Sequence, residues 1–223
     1  MSYSRFAIYF IPPEGALADF GAAWLGWDVV TGRDVVQPSV HGLRDITMTP
    51  MKYGFHGTLK PPFRLAAGRS FAELERAAAD LAAAVRPAVS GGLELTTLGG
   101  FLALMPGGDV SGVRRVAQAC VCDLDTFRAP ASAAELDRRR AAGLSARQDA
   151  LLTQWGYPYV MEEFRFHLTL SGRLPAHDIA RWTDVASSHL PDLPKPFVIN
   201  QIALCGERED GRFELIHRHA LTG

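Results

Sequence analysis

Two copies of a short motif, His-x-Thr-x, set the organisation of this sequence. One copy is His-Gly-Thr-Leu at residues 56–59, and the other is His-Leu-Thr-Leu at residues 167–170. Polar and apolar residues alternate around both copies, which is typical of a β-strand with one buried face. Side chains two positions apart in a strand point the same way, so each copy places a histidine beside a threonine. A repeated strand of this kind predicts a fold built from two equivalent halves.

The segments around the motifs repeat as well. In each half the motif strand leads to a helical segment and then to paired strands. We therefore predict an α+β fold of duplicated β-α-β units related by a pseudo-twofold axis. Residues 1–223 are expected to form one domain, with lobes at about residues 1–106 and 107–223. A stretch rich in Ala, Arg and Leu at about residues 131–156 is predicted to be an inserted helical hairpin.

Composition and charge exclude several classes of protein. The chain is 48% hydrophobic, which is enough for a substantial core. Its 23 Lys and Arg residues balance 24 Asp and Glu residues, so no overall basic field draws it to long nucleic acids or acidic membranes. No apolar run approaches the roughly 20 residues that span a bilayer, and no signal peptide is recognised. Three cysteines without C-x-x-C spacing favour neither a disulfide framework nor a zinc site, so we expect a cytoplasmic protein.

The motif residues form a candidate site for chemistry at phosphorus. The unperturbed pKa of histidine, about 6.5, lets His56 and His167 exchange protons near neutral pH. One neutral imidazole can deprotonate an attacking water or hydroxyl, while the other, protonated, donates to the leaving oxygen. The sequence leaves open which histidine is the acid. The hydroxyls of Thr58 and Thr169 are predicted to bind nonbridging phosphate oxygens and hold the phosphorus between the imidazoles. This scheme requires neither a metal nor a cofactor.

Four further residues are candidates for substrate binding. Alternation along the strands places Lys60 on the face of the first motif histidine and Arg165 on the face of the second. Two cations there would stabilise a developing dianionic phosphorane. The alternatives are that Lys60 is a solvated strand end beside a proline and that Arg165 pairs with a neighbouring glutamate. Tyr9 and Tyr53 either line the pocket or only pack.

Two other polar groups have simpler interpretations. His217 and His219 have the spacing of a metal-binding pair on a strand, but no Cys, Asp or Glu stands at ligand spacing. Solvent-facing positions are therefore favoured, and no metal site is expected. Residues 138–140 are three consecutive arginines, which indicate a solvated helix face, with binding of a phosphate tail as the alternative.

The motifs and their context resemble the two-histidine phosphoesterase superfamily over essentially the whole chain. Residues 53–63 (YGFHGTLKPPF), 155–160 (WGYPYV) and 164–170 (FRFHLTL) are similar to a branch labelled as phosphonate metabolism proteins. The resemblance implies two antiparallel sheets flanked by helices, with the motif strands facing each other across a cleft. It also implies metal-independent opening of a cyclic phosphodiester, such as a nucleoside 2′,3′-cyclic phosphate or a phosphoribosyl cyclic phosphate.

One hypothesis and two alternatives follow. The hypothesis is a cyclic phosphodiesterase for a small-molecule substrate, with His56 and His167 as its catalytic residues. The first alternative is a non-catalytic nucleotide- or phosphosugar-binding module, and the second is an enzyme that processes or ligates RNA ends. The near-zero net charge and the lack of a basic, aromatic track favour the small molecule. The oligomeric state is left open.

Overall fold

A computed structural model describes residues 3–223 and confirms the α+β class. The strands are β1 (Phe6–Phe10), β2 (Trp27–Asp28), β3 (Arg33–Asp34), β4 (Gly57–Phe63), β5 (Ala88–Ser90), β6 (Leu93–Leu98), β7 (Phe101–Pro106), β8 (Leu168–Thr169), β9 (Phe197–Ile199), β10 (Gln201–Glu207) and β11 (Phe213–Ala220). The α-helices are α1 (Ala16–Leu25), α2 (Leu43–Met51), α3 (Phe71–Ala84), α4 (Ser111–Asp123), α5 (Ala133–Arg140), α6 (Ala146–Trp155) and α7 (Ile179–His189). Short 3₁₀ helices lie at Asp125–Phe127, Met161–Glu163 and Ala176–Asp178.

The main sheet is antiparallel and has seven strands in the order β11-β10-β1-β4-β8-β7-β6. The two motif strands, β4 and β8, lie side by side within it, joined by the residue pair Gly57 and Leu168. The two sheets implied by the resemblance are therefore two parts of one sheet that is continuous at this pair. Strands β2 and β3 form a separate ribbon, as do β5 and β9.

Each part of the sheet contains strands from both halves of the sequence. Strand β10 lies beside β1, and β6 lies beside β7, which pairs with β8. The element order fits a repeat of β1-α1-β4-α3-β5-β6 followed by β7-α4-β8-α7-β9-β10. Its boundary falls in the turn at Gly99 and Gly100, one strand earlier than the expected boundary near residue 106. Strand β7 closes a hairpin with β6 and also opens the second unit, so the expected lobe boundary stays a prediction.

Helices cover one face of the sheet and form the main core with it. The core-facing residues of β1 are Phe6, Ile8 and Phe10. Tyr9 faces the other side, where a smaller cluster includes Trp27 of the β2–β3 ribbon. Strand β1 is therefore buried on both faces, and the motif side chains lie on the face of the smaller cluster. No helix within residues 3–223 is long and apolar enough to cross a membrane.

Helices α5 and α6 form a hairpin in the segment where an insertion was predicted. Each begins with a capping box in which a serine side chain and a residue three positions later satisfy each other's backbone N–H groups. The buried residues of α6 are Leu151 and Leu152, whereas α5 has no buried residue. An ion pair of 2.7 Å between Arg140 and Asp149 joins the two helices. Helix α5 is thus held at the surface by α6.

Candidate active site

The motif histidines and threonines come together where β4 meets β8. In an antiparallel pair, the positions on either side of two paired residues also lie opposite each other. The register of β4 and β8 therefore sets His56 opposite Thr169. By the same geometry, Thr58 lies opposite His167. Directly opposite Cβ atoms are about 4.5–5.5 Å apart, and diagonal neighbours such as the two histidines are about 7–8 Å apart. We call these four side chains the His–Thr quartet.

His56 is oriented by a glycine two residues earlier. Its Nδ1 donates to the Gly54 carbonyl at 2.9 Å, so in the neutral ring Nε2 accepts the Thr58 hydroxyl at 3.1 Å. Gly54 has a φ of 69°, and a Cβ there would lie 2.4 Å from the Cβ of Val29. Only glycine fits both constraints. The imidazole also stacks on Tyr9, with ring centroids 3.8 Å apart.

His167 is oriented in the same way. Its Nδ1 donates to the Arg165 carbonyl at 2.8 Å, two residues earlier in the chain, which leaves Nε2 for other partners. The ring of Phe101 lies 5.5 Å away, centroid to centroid. Both neutral histidines therefore carry their hydrogen on Nδ1, which leaves Nε2 as the hydrogen-bond acceptor of each ring. Their surroundings differ, because one is stacked on a tyrosine and the other has only a tilted phenylalanine nearby.

Burial lowers the pKa of both histidines. For His56, loss of solvation lowers the pKa to about 4; the Gly54 carbonyl opposes this shift, and the charge of His167 adds to it. For His167, loss of solvation lowers the pKa, and the Arg165 carbonyl opposes the shift. Both rings are thus neutral in the free protein at neutral pH. An anion bound beside the two rings would raise both pKa values, because an opposite charge favours the imidazolium.

A cavity of about 310 Å³ lies over the quartet. This volume is at the lower end of the range for small-molecule sites, about 300–1,000 Å³. His167 is not one of the lining residues; it lies opposite Thr58, which does line the cavity. The lining residues come from the sheet, from the N-terminal segment and from the helical insertion: Arg5, Tyr9, Tyr53, His56, Thr58, Pro61, Pro62, Arg139, Tyr157 and Thr169.

The two tyrosines predicted near the site both line this cavity. Tyr9 is fully buried beneath His56, and its hydroxyl has no hydrogen-bond partner among the described residues. Burial raises the pKa of Tyr9 well above its ordinary value. The centroid of the Tyr53 ring lies 6.1 Å from that of the His56 ring. The Lys52 Nζ lies 4.7 Å from the centroid of the Tyr53 ring. Tyr9 therefore supports the imidazole from below, while Tyr53 forms part of the wall.

Lys60 does not reach the cavity, contrary to the prediction. A β-bulge between β1 and β4 places two residues of β4 against one step of β1, and Lys60 consequently lies opposite Ile8. Ile8 faces the main core, on the other side of the sheet from the quartet. The Lys60 side chain is 1% exposed, and its Nζ donates to the Val121 carbonyl at 3.0 Å and to Asp125 at 3.4 Å. The bulge reverses the alternation on which the prediction depended.

Arg165 is also placed away from the cavity. Strand β8 is only two residues long, and the chain before it makes a 3₁₀ turn that ends at Glu163. The alternation of a strand therefore does not extend back to Arg165. Its exposed side chain borders a different surface groove, beside Phe164 and Arg114. The carbonyl of Arg165, rather than its guanidinium, serves the site by orienting His167.

The histidines of the last strand lie far along the sheet from the quartet. His217 and His219 stack with ring centroids 4.6 Å apart, and His217 Nδ1 lies 3.3 Å from Glu75. Within residues 3–223, no three His, Cys, Asp or Glu side chains are grouped so that they could hold a metal ion. The cysteines Cys120, Cys122 and Cys205 are unpaired thiols.

Five cavity residues were not identified as site residues from the sequence: Arg5, Pro61, Pro62, Arg139 and Tyr157. The Arg5 guanidinium is bound by the carboxylate of Glu207, with an Nε to Oε2 distance of 2.6 Å. Arg139 and Tyr157 come from the insertion, whose position over the sheet has no periodic signal in the sequence. The arginine run at residues 138–140, with its alternative of phosphate binding, was the available clue.

Curated relatives match a large part of the chain. The ribose 1,5-bisphosphate phosphokinase PhnN of Janthinobacterium sp. (strain Marseille) is 40% identical over 179 residues, which is 78% of this chain and 40% of the relative. The protein of the same name from Laribacter hongkongensis (strain HLHK9) is 38% identical over 190 residues, or 83% of this chain and 44% of the relative. The chain thus spans about two fifths of the length of the curated relatives it matches.

Solved structures and a family model also match. TT0787 of Thermus thermophilus has 15% identity and a TM-score of 0.48, with 98% of each chain covered. E. coli LigT complexed with 3′-AMP has 16% identity and a TM-score of 0.42, with 100% of each chain covered. The model described as "Protein of unknown function (DUF1045)" matches residues 58–214. Because this match spans most of the chain, the protein belongs to the DUF1045 family.

Proposed function

We propose that this protein hydrolyses a cyclic phosphodiester by general acid–base catalysis with two histidines. The observation that carries the proposal is the His–Thr quartet, in which two imidazoles and two hydroxyls share one face of the sheet. Each imidazole donates its Nδ1 hydrogen to a backbone carbonyl. Nε2 is therefore the atom of both rings that exchanges protons with substrate and water.

The proposed reaction needs one proton acceptor and one proton donor. One neutral Nε2 takes a proton from water while the water oxygen forms a bond to phosphorus. As the ring ester bond breaks, the other imidazole, protonated, gives its proton to the leaving oxygen. The product is a phosphate monoester with a free hydroxyl. The two histidines have then exchanged protonation states, and proton exchange with solvent restores the starting pair.

Their surroundings suggest how the two histidines divide these roles. His56 is the proposed base, because its pKa of about 4 keeps it neutral in the free protein and the stacked Tyr9 ring limits its hydration. His167 is the proposed acid, because it lies opposite Thr58, a proposed phosphate ligand, and has only a tilted ring nearby. The negative charge of the substrate raises the pKa of His167 and so favours its protonation on binding. Different environments are what allow two identical groups to take opposite roles.

The threonines supply the hydroxyls that position the phosphate. Thr58 and Thr169 both line the cavity, each opposite one of the histidines. On substrate binding, the Thr58 O–H is proposed to leave His56 Nε2 and donate to one nonbridging oxygen, while the Thr169 O–H donates to the other, which places the phosphorus between the imidazoles. Because the imidazoles carry both proton transfers, the proposed mechanism is independent of a metal ion.

A phosphorylated ribose is the substrate class that we favour. The curated relatives are named for ribose 1,5-bisphosphate, and a phosphoribosyl cyclic phosphate would be a chemically related ligand. The phosphokinase activity in that name is not transferred, because the chain spans two fifths of those relatives and contains no G-x-x-x-x-G-K-[S/T] phosphate loop. A role in phosphonate metabolism remains part of the proposal.

Chelator-treated protein tests the proposal directly. The purified chain is incubated with EDTA and a panel of cyclic phosphates of nucleosides and of ribose, and the products are identified by phosphorus NMR. We expect conversion of at least one five-membered cyclic diester to a monoester. His167→Ala at the same concentration serves as the control for contaminating phosphodiesterases. Tight binding without turnover for every compound would contradict catalysis and support the binding-module alternative.

A further inference from the structure

The wall of the cavity contains two arginines in different electrostatic states. Arg5 is paired with Glu207 through two guanidinium nitrogens, and Ser4 donates to the same carboxylate. Its charge is therefore largely balanced within the protein. Arg139 lies within 4.0 Å of no carboxylate in residues 3–223, and no hydrogen bond involves its guanidinium there. Of the two cavity arginines, Arg139 is therefore the one whose charge is not balanced by a carboxylate of the described residues.

The position of Arg139 is set by its neighbours on the insertion. Its guanidinium carbon lies 4.9 Å from the centroid of the Tyr157 ring, which is a cation–π contact. Arg140, the next residue, is paired with Asp149 of α6, so the end of α5 is tied down beside it. A cation–π contact uses the face of the aromatic ring and leaves the N–H groups of the guanidinium available to other partners. The planar fork is thus presented to the cavity by a supported side chain.

Arg139 reaches the cavity from a different direction than the quartet does. Thr58 and Thr169 lie in β4 and β8 and the two histidines directly precede these strands, whereas Arg139 lies in α5 and Tyr157 follows α6. Two imidazoles and two hydroxyls at the floor already provide the contacts that the reacting phosphate needs. A cyclic diester carries one negative charge, whereas a terminal phosphate monoester carries about −1.5 to −2 at pH 7. A free arginine fork is matched to the second of these groups.

We propose that Arg139, supported by Tyr157, is a specificity residue that binds a second phosphate on the substrate, separate from the cyclic phosphate that reacts. The inference rests on the proposed function, and it narrows the substrate class to cyclic phosphodiesters that also carry a terminal phosphate monoester. The helices α5 and α6 then have a function, because they place an arginine beside the His–Thr quartet, which itself contains no lysine or arginine.

A matched pair of substrates tests the inference. The pair is a nucleoside 2′,3′-cyclic phosphate and the same compound with a 5′-phosphate. In the wild type we expect a lower KM, by about 10–100-fold, for the 5′-phosphorylated compound, which is the range of a charge-assisted contact. Arg139→Gln should remove this preference and leave the KM of the unphosphorylated compound within about threefold of the wild type. Arg138→Gln, a neighbouring exposed arginine that does not line the cavity, is the matched control and should keep the preference.

Several results would overturn the inference. A wild type that shows no preference contradicts it, and so does an Arg139→Gln variant that loses activity equally on both compounds. The second result would place Arg139 at the reacting phosphate instead. Equal melting temperatures of the variants and the wild type show that the comparison concerns binding. If neither compound is turned over, the proposed catalysis fails, and calorimetry still decides the inference: an Arg139-dependent preference in Kd supports it, and equal Kd values contradict it.

Discussion

Lowering the pH is expected to destabilise the folded protein through His56. The pKa of this histidine is about 4 in the folded protein and about 6.5 in an unfolded chain. The unfolded state therefore binds the proton first as the pH falls. The contribution of His56 to the free energy of unfolding is fully present above pH 6.5. It declines as the pH falls from 6.5 towards 4, and it changes no further below pH 4. Between pH 7 and pH 5 the loss attributable to His56 is about 2 kcal/mol.

The variant His56→Asn isolates this effect, because asparagine does not titrate and its amide can still donate to the Gly54 carbonyl. Urea unfolding is followed at pH 7 and pH 5 by fluorescence of the buried Trp24 and Trp27. Between the two pH values, we expect the free energy of unfolding of the wild type to fall by about 2 kcal/mol more than that of His56→Asn. His177→Asn controls for the substitution itself, since the side chain of His177 is 82% exposed. Equal losses in wild type and His56→Asn would refute the assigned burial of this imidazole.

Four substitutions test the other assignments. Thr58→Val and Thr169→Val should each lower kcat/KM for a cyclic phosphate by about 10–100-fold, since each removes a hydrogen bond to a charged oxygen; unchanged kinetics would rule out phosphate positioning. Lys60→Met should leave kcat/KM within about threefold of the wild type, because its amine bonds Val121 and Asp125 under α4, whereas a lysine bound to phosphate would cost far more. Tyr9→Phe should retain activity and keep or raise the melting temperature, because the buried hydroxyl it removes has no partner in the described residues; a large loss of activity would show that this hydroxyl acts on the substrate.

Local signals predicted much of the fold. The N-cap of helix α3 is Ser70, which forms a capping box with Glu73, and this pattern is a sequence signal for the start of a helix. The inserted helices were visible because each follows a serine cap and is rich in helix-forming residues. Helix α2 was not predicted, because residues 43–51 contain two threonines and Pro50, which are weak or unfavourable helix formers.

Errors arose where tertiary contacts override a local period. Two consecutive prolines usually end a strand, yet β4 continues through residues 61–62 to Phe63, because the bulges against β1 accommodate two residues without a full set of ladder hydrogen bonds. The same bulges turn Lys60 towards the core. Strand β10 lies beside β1 of the first unit, and β6 lies beside β7 of the second unit. These positions depend on pairing between strands that no local sequence pattern encodes.

The candidate site, like the fold, was predictable only where local sequence determines the geometry. His56 and Thr58, like His167 and Thr169, are two residues apart, so strand geometry alone places each pair together. Only the register of β4 against β8 brings the pairs into one quartet. Arg139 reaches the cavity through the packing of an insertion, which depends on contacts distant in sequence.

The most direct test of the account compares four proteins on one cyclic phosphate in the presence of EDTA: wild type, His56→Ala, His167→Ala and the double variant. If the histidines act as one acid–base pair, each single variant should lose about 10²–10⁴-fold in kcat/KM. The double variant should then lose much less than the product of the single losses, because residues that act as a unit are not additive. A single variant with full activity would contradict the central claim that both imidazoles act on one phosphorus.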